Sequence, residues 1–339
     1  MKHVFGMMLF LAGCLLASCQ PQQEQPKKIV AAYVTSQGES LPDPSVLTHI
    51  NYAFGHVDST FDRVRIAREE RLREIAALKN QYPDLKVSLS IGGWGSGNFS
   101  EMAADEQKRL SFAKDCKRIV DEYNLDGIDI DWEYPTSDAA GISCSPDDKA
   151  NYTLLMRDIR EAIGPNKLLT LASSYTARYI DFRAIDPYID FVNIMAYDMG
   201  KPPYHNAALY PSEMTRKGAS CEESLAAHVA AGVPTEKIVL GIPFYGHGAD
   251  SILPYYVDYK NIDMIKDYTA CWDSIAQVPY ATDSTGQMVC TYEDARSIAL
   301  KCDFIHEKGL LGVMYWEYNT DNAEGALRKA TFDGMMKTK

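Results

Sequence analysis

Short apolar segments alternate with amphipathic helical segments along the chain from residue 28 onward. Each apolar segment is seven or eight residues long and rich in aliphatic residues, which is typical of strands that are buried on both faces of a parallel sheet. The predicted strands are 28–34, 48–55, 85–91, 126–132, 167–174, 190–197, 237–244 and 310–317.

Helical periodicity fills the intervals between these strands. Asp105 and Ser220 stand where two of the helices begin, as capping residues do. The predicted helices lie near 67–80, 106–123, 149–163, 220–231 and 292–308, with a shorter one after residue 322. Eight strands separated by helices predict an α/β fold, a closed (β/α)8 TIM barrel. An open doubly wound sheet is the alternative, but it usually carries a Gly-rich loop after the first strand, and VTSQGES at 34–40 is not one.

About forty Tyr-rich residues, 247–290, interrupt this alternation before the last helix and strand. A segment of this length within a compact domain is usually a lid, a groove wall or a small inserted subdomain. We therefore predict one barrel domain over 28–339, with a short insertion between the seventh strand and the last helix.

The N-terminal residues resemble an export signal. Lys2 precedes an apolar run that is too short to span a bilayer stably, and LASC at 16–19 resembles a bacterial lipobox. Residues 1–19 are thus predicted as a lipoprotein signal peptide, with Cys19 lipidated and 20–27 as a polar tether to a bacterial outer membrane or cell surface. The alternatives are lipidation at Cys14 and secretion as a soluble protein.

The overall composition narrows the class of ligand. The chain has 339 residues, 46% of them hydrophobic, and a net charge of −12. This charge, with no run of Lys and Arg, argues against a nucleic-acid partner and favours a neutral or cationic ligand.

Six cysteines remain after the signal. Cys116 and Cys302 lie on apolar helix stripes and are predicted as buried thiols. The other four lie in or near loops, where they are able to pair in three ways in an oxidising compartment: Cys144, Cys221, Cys271 and Cys290. No Cys/His spacing indicates a metal site, and no cofactor is predicted.

The fourth predicted strand carries acids on alternate positions. Residues 126–133 read DGIDIDWE, so Asp129, Asp131 and Glu133 share one face while the residues between them are apolar. Carboxyl groups spaced roughly 6–7 Å apart along a strand do not all ionise cheaply, so at least one keeps a proton near neutral pH. A protonated carboxyl group is a general acid, and Pro135 leaves Glu133 at the barrel rim, where such enzymes place their chemistry.

Two other interpretations fit this segment less well. A solvated acidic turn does not explain Ile and Trp at the intervening positions. A calcium loop needs Gly at its sixth position and a loop backbone, whereas strand-forming residues and Tyr134 occupy the corresponding positions.

Five segments together resemble glycoside hydrolase family 18, the family of many chitinases. DGIDIDWEYP at 126–135 resembles the DxxDxDxE signature of that family. The other four segments occur in the chain order of the family: LSIGGW at 89–94 lies before this signature, and MAYDM at 195–199, GIPFYG at 241–246 and GVMYWEYNTD at 312–321 lie after it. The resemblance implies a (β/α)8 barrel and a retaining hydrolase in which the substrate's N-acetyl oxygen replaces an enzyme nucleophile.

The resemblance also implies catalytic roles. Glu133 protonates the glycosidic oxygen and later deprotonates water. Asp131 holds the acetamide N–H and stabilises the positive oxazolinium intermediate. Asp129 lies deeper and shares a proton with Asp131, steered by Ser90 and Tyr33.

Substrate-binding residues are implied in the same way. Tyr197 bonds to the acetamido oxygen above Met195, and Asp198 contacts the sugar. Trp316 offers a flat floor for a pyranose ring, although a packing role is its alternative. Further aromatic contacts, each equally suited to packing, are implied for Phe54, Trp94 and Tyr245.

Two departures from the family pattern stand out. His247 occupies the position at which the family often has Arg, which puts the contact from this strand in doubt. The insertion is also shorter than the α+β subdomain of many members, which favours a shallower cleft and leaves endo or exo action open.

The leading hypothesis is a monomeric, surface-anchored chitinase or chitooligosaccharidase that acts on β-1,4-linked N-acetylglucosamine. An endo-β-N-acetylglucosaminidase acting on N-glycans is the second. A glycan-binding protein on a retired hydrolase scaffold is the third, but such relatives typically lack the acid at the position of Glu133.

Overall fold

The computed structural model describes residues 28–337, so the predicted signal peptide, Cys19 and the tether lie outside the described residues. Its strands are β1 (Ile29–Thr35), β2 (His49–Val57), β3 (Val64–Ile66), β4 (Lys86–Gly92), β5 (Gly127–Asp131), β6 (Leu168–Ser174), β7 (Phe191–Met195), β8 (Ile238–Pro243), β9 (Tyr245–Gly248), β10 (Tyr256–Asp258), β11 (Thr269–Asp273), β12 (Val278–Thr282), β13 (Met288–Thr291) and β14 (Gly312–Trp316). Its helices are α1 (Glu69–Ala77), α2 (Phe99–Ala104), α3 (Glu106–Glu122), α4 (Asp148–Ile163), α5 (Phe182–Ile185), α6 (Cys221–Ala231), α7 (Ala295–Glu307) and α8 (Ala326–Met336).

Eight parallel strands close into a barrel in the order β1-β14-β8-β7-β6-β5-β4-β2, with β1 paired to β2. Ala31 shows the closure, since it is in register with Met314 on one side and His49 on the other. Each of these strands overlaps one predicted from the sequence, and the predicted (β/α)8 barrel is confirmed.

The helices pack around the barrel because their apolar faces cover its outward side chains. The predicted caps are present: Asp105 accepts a hydrogen bond from the Lys108 N–H, and Ser220 from the Glu223 N–H. Within the described residues, no helix has the length and apolar character that a membrane span requires.

The insertion between β8 and α7 forms a second, antiparallel sheet in the order β10-β9-β13-β12-β11. Its small core contains Val257, Ala281 and Val289. A buried ion pair between Lys301 and Glu293 joins the end of the insertion to α7, and the Lys301 ammonium also donates to the Ala207 carbonyl at 2.7 Å. The predicted insertion is thus a small subdomain attached to the barrel.

The cysteines are all free thiols in the described residues, so the loop cysteines do not pair. Cys221 begins α6 and Cys290 lies in β13; both are buried by packing. Cys271 lies in β11, which β12 separates from β13. Cys116 and Cys302 are completely buried, as their helix stripes predicted.

Candidate active site

Asp129 lies at the centre of the barrel and is completely buried. One carboxylate oxygen accepts hydrogen bonds from the hydroxyls of Tyr33 and Ser90, both at 2.8 Å. The other accepts from the hydroxyl of Thr170 at 2.6 Å and the amide of Asn193 at 3.2 Å. Burial raises the pKa of Asp129 above its ordinary value, and hydrogen bonds from the four donors oppose this rise. These donors favour the ionised form, because they satisfy a carboxylate that would otherwise be a buried bare charge.

Asp131 follows Asp129 on the same face of β5 and is also buried. Its Oδ1 atom has no hydrogen-bond partner. Burial raises the pKa of Asp131 well above its usual range, and the charges of Glu133 and Asp129 raise it further. A buried acceptor without a donor is unfavourable, so the site has room for one ligand N–H or O–H at this atom.

Glu133 lies two residues beyond the end of β5, at the carboxyl-terminal rim of the barrel. Burial raises the pKa of Glu133 to about 7; a hydrogen bond with Tyr134 opposes this rise, and the charge of Asp198 adds to it. A carboxyl group that titrates near neutrality is suited to donate a proton and to take it back.

The carboxyl groups of Asp131 and Glu133 line a cavity of about 760 Å³. Trp316, partly exposed, lines the cavity and stacks on Phe54 with ring centroids 5.5 Å apart and 18° between the planes. Trp94 lies at the rim with 63% of its surface exposed. All three aromatic residues were predicted from the sequence as sugar contacts, and all three line this cavity.

Three other residues predicted from the sequence lie at or just after the end of β7 and line the wall of the cavity: Met195, Tyr197 and Asp198. The hydroxyl of Tyr197 lies 4.0 Å from the sulfur of Met314. Tyr245 does not line this cavity but donates a hydrogen bond to Asp198 Oδ1 at 2.6 Å.

A second groove of about 1230 Å³ begins on the other side of Trp316 and Phe54. It follows the loops at residues 35–40 and 317–323, and Tyr256 borders both spaces. The two spaces therefore form one cleft that passes the carboxyl groups.

Several residues of the cleft were not predicted from the sequence. Tyr134 and Tyr179 stack with ring centroids 4.7 Å apart, and the guanidinium of Arg178 lies 4.5 Å from the Tyr179 ring. Tyr255 and Tyr256 extend from the insertion into the cleft. The Tyr-rich composition of the insertion was the sequence feature that indicated a role for Tyr255 and Tyr256.

The described residues contain no group of three or more His, Cys, Asp or Glu side chains placed to hold a metal ion. The chemistry that the site offers is proton transfer by Glu133 beside a second, buried carboxyl group. A (β/α)8 barrel with such a pair at its carboxyl-terminal rim is typical of glycoside hydrolases.

The comparisons with known proteins narrow this class. Residues 29–321 match the model of the glycosyl hydrolases family 18. The chain belongs to this family.

Solved structures and curated proteins agree with this assignment. A family 18 N-acetylglucosaminidase from Paenibacillus barengoltzii is 36% identical, with a TM-score of 0.81 over 91% of this chain and 100% of that one. Chitinase A1 of Niallia circulans is 33% identical over 77% of this chain, and Probable chitinase 2 of Drosophila melanogaster is 30% identical over 91%. The chain spans 44% of the former protein and 76% of the latter.

Proposed function

We propose that this protein hydrolyses β-1,4 linkages of N-acetylglucosamine, in chitin or its oligomers, with retention of configuration and with assistance from the substrate. One observation carries the proposal: the buried Oδ1 atom of Asp131 lacks a donor and lies beside a proton donor, Glu133, that titrates near neutrality. An acetamide N–H of the sugar supplies the missing donor.

In the first step, Glu133 donates its proton to the glycosidic oxygen as the bond to the anomeric carbon breaks. The acetamide carbonyl oxygen of the same sugar attacks that carbon and forms a cyclic oxazolinium ion. Asp131 accepts the acetamide N–H and, with Asp129 beneath it, stabilises the positive charge. The hydroxyl of Tyr197 donates to the acetamide oxygen and holds it for attack.

In the second step, water attacks the anomeric carbon from the face that the leaving group vacated. Glu133, now ionised, takes a proton from this water, and the oxazolinium ring opens to restore the acetamide. Two inversions at the anomeric carbon give net retention. Glu133 thus returns to its protonated form.

The names of the relatives support this substrate class. The similar structure from Paenibacillus barengoltzii is named an N-acetylglucosaminidase, and the two curated relatives are named chitinases. The partly exposed indole of Trp316 beside the carboxyl groups suits the apolar face of a pyranose ring.

The first experiment compares wild type with Glu133→Gln, using a soluble form that begins near Lys27. N-acetylglucosamine tetramer and a high-mannose glycoprotein are the substrates. We expect hydrolysis of the tetramer, and a roughly 10²–10⁴-fold lower kcat for Glu133→Gln, because the general acid is lost. Glu161→Gln, whose side chain is 68% exposed, is the matched control and should retain full activity. Undiminished activity in Glu133→Gln, or cleavage of the glycoprotein alone, contradicts the proposal.

We also propose that the chain is exported and anchored as a monomer through a lipid on Cys19. The support is the lipobox-like LASC and the polar tether that follows it. Expression in a bacterial host, followed by membrane fractionation and mass spectrometry, tests the anchor. Cys19→Ala should leave the membrane fraction, whereas Cys14→Ala should stay in it. The opposite pattern would place the lipid on Cys14.

A further inference from the structure

The segment 134–147 joins Glu133 to α4 and forms one wall of the cleft. All of its residues are described, and none lies in a helix or strand, so specific contacts determine its shape. Tyr134 lines the cavity, stacks on Tyr179, and lies 6.3 Å from Trp94 between ring centroids. A contact that holds this segment therefore acts on the part of the cleft next to Glu133.

Glu133 itself lies beyond the paired part of β5. The parallel pairing of β5 with β4 ends at Asp131, whose carbonyl accepts a hydrogen bond from the Gly93 N–H at 2.9 Å. Hydrogen bonds between strands hold the backbone only where the strands are paired. The position of Glu133 therefore depends on the residues that follow it as well as on β5.

Asp148, the first residue of α4, is bonded near both ends of the segment. Its Oδ2 atom accepts hydrogen bonds from the N–H groups of Thr136, at 3.1 Å, and of Ser145, at 2.7 Å. Its Oδ1 atom accepts a third bond, from the hydroxyl of Ser100 in α2, at 2.6 Å. Because the Asp148 side chain is completely buried, these donors take the place of water at its two oxygens.

Thr136 shows what the bond from Asp148 restrains. Its backbone is left-handed, with φ of 63°, which is an outlier for a β-branched residue. The next residue, Ser137, donates its N–H to the Tyr134 carbonyl at 3.1 Å, so a tight turn follows Glu133 directly. A strained turn persists where surrounding contacts fix it, and the bond to Asp148 is such a contact.

We propose that Asp148 is a positioning residue, which holds the Glu133 carboxyl group in line with the glycosidic oxygen through the turn at Thr136. This inference rests on the proposed function. General-acid catalysis requires the two oxygen atoms to come within about 2.6–3.2 Å of each other. A displacement of about 1 Å is enough to lower a rate about 100-fold. Loss of the bonds to Asp148 should therefore impair proton donation while the acid itself remains.

The test uses two substrates that differ in their need for a proton. The leaving group of N-acetylglucosamine tetramer is a sugar, which must be protonated as the bond breaks. The dinitrophenyl β-glycoside of the N-acetylglucosamine dimer instead releases a stable anion, which needs no proton. The quantity measured is the ratio of kcat/KM for the tetramer to kcat/KM for the dinitrophenyl glycoside. A fraction of unfolded protein lowers both values equally and cancels in this ratio.

Asp148→Ala removes all three bonds. It should lower kcat/KM for the tetramer about 100-fold and change the value for the dinitrophenyl glycoside by less than about threefold. Asp148→Ser is a milder variant that suits the start of a helix but is too short to reach the segment, and it should lower the ratio about tenfold or more.

Asp148→Asn should keep the ratio within about threefold of wild type. Its amide oxygen is still able to accept from Thr136 and Ser145 while its NH2 group donates to the hydroxyl of Ser100. Ser100→Ala is the matched control, because it removes the bond from α2 to the same carboxylate and leaves the bonds to the segment in place. It should also keep the ratio within about threefold.

An Asp148→Ala or Asp148→Ser enzyme with the ratio of wild type overturns the inference, even where both rates have fallen. So does an Asp148→Asn or Ser100→Ala enzyme whose ratio falls as far as that of Asp148→Ala. Glu133→Gln should show the largest fall in the ratio, since the acid itself is gone. Glu133→Gln with the ratio of wild type, or wild type that hydrolyses no N-acetylglucosamine oligomer, refutes the proposed function instead.

Discussion

The raised pKa of Glu133, which suits it to proton transfer near neutral pH, lowers the stability of the folded chain in the same pH range. The pKa of Glu133 is about 7 in the folded chain and near its ordinary value of 4.5 in the unfolded one. Between these values the folded state keeps a proton that the unfolded state releases. Stability is therefore lost as pH rises from about 4.5 through 7.

Glu133→Gln removes this loss, since an amide does not ionise. We expect its free energy of unfolding, relative to wild type, to rise between pH 4.5 and 8 by on the order of 3 kcal/mol. Denaturant unfolding of both proteins at several pH values measures this difference. A difference that does not vary with pH would show that Glu133 titrates alike in both states.

The contacts of Asp129 show what the sequence reveals about single residues. Strand alternation predicted which acids share a face, and the resemblance to the family predicted that Tyr33 and Ser90 accompany Asp129. Thr170 and Asn193 were missed as its donors, although each is a polar residue between two apolar neighbours in its strand. Their role depends on which side chains from different strands meet inside the barrel. The pattern of residues along a single strand does not predict those contacts.

Among the elements, α3 and α4 are joined by a buried ion pair. Arg109 Nε lies 3.0 Å from Asp158 Oδ2, both side chains are buried, and Arg109 also donates to the Ala103 carbonyl at 2.9 Å. The Asp158 carboxylate has a second partner in Arg157, which is 37% exposed. Loss of Arg109 therefore leaves the buried carboxylate of Asp158 with the more exposed Arg157 as its ion-pair partner.

We expect Arg109→Met to lower the free energy of unfolding by about 3 kcal/mol, the lower end for a broken buried pair, because Arg157 remains. Lys117→Ala, which removes an exposed partner of Asp121 on α3, is the control and should change it by less than about 0.5 kcal/mol. Denaturant unfolding provides both values. Equal effects of the two substitutions would mean that the buried pair does not stabilise the packing of α3 on α4.

The insertion marks the limit of prediction at the level of elements. Its position was evident from the break in the alternation of strands and helices, but its five strands were not. They are only three to five residues long and antiparallel. Strands this short do not establish a clear period, so their pairing is set by contacts within the subdomain.

For the molecule as a whole, the barrel was predictable because eight apolar segments of similar length alternate with amphipathic helical segments. The shape of the cleft was not predictable, because loops and the insertion build it. The cleft continues from the cavity beside Glu133 to the groove beyond Trp316, with Tyr256 bordering both.

A continuous cleft should bind several sugars at once. We expect kcat/KM to rise at least about tenfold from the N-acetylglucosamine dimer to the tetramer, as the added sugars contact the groove. Trp316→Ala should lower kcat/KM for both lengths, because the indole lies between the two spaces. Product analysis by chromatography measures the rates. Equal kcat/KM for dimer and tetramer would indicate a site that engages only a terminal sugar.

The claim that the substrate's own acetamide is the nucleophile has one direct test. Chitosan oligomers without N-acetyl groups are compared with their fully acetylated counterparts, and hydrolysis and binding are both measured. We predict that the deacetylated oligomers bind in the cleft but are not cleaved, because Asp131 and Tyr197 then hold no acetamide to attack the anomeric carbon. Cleavage of both kinds of oligomer at equal rates would contradict substrate assistance.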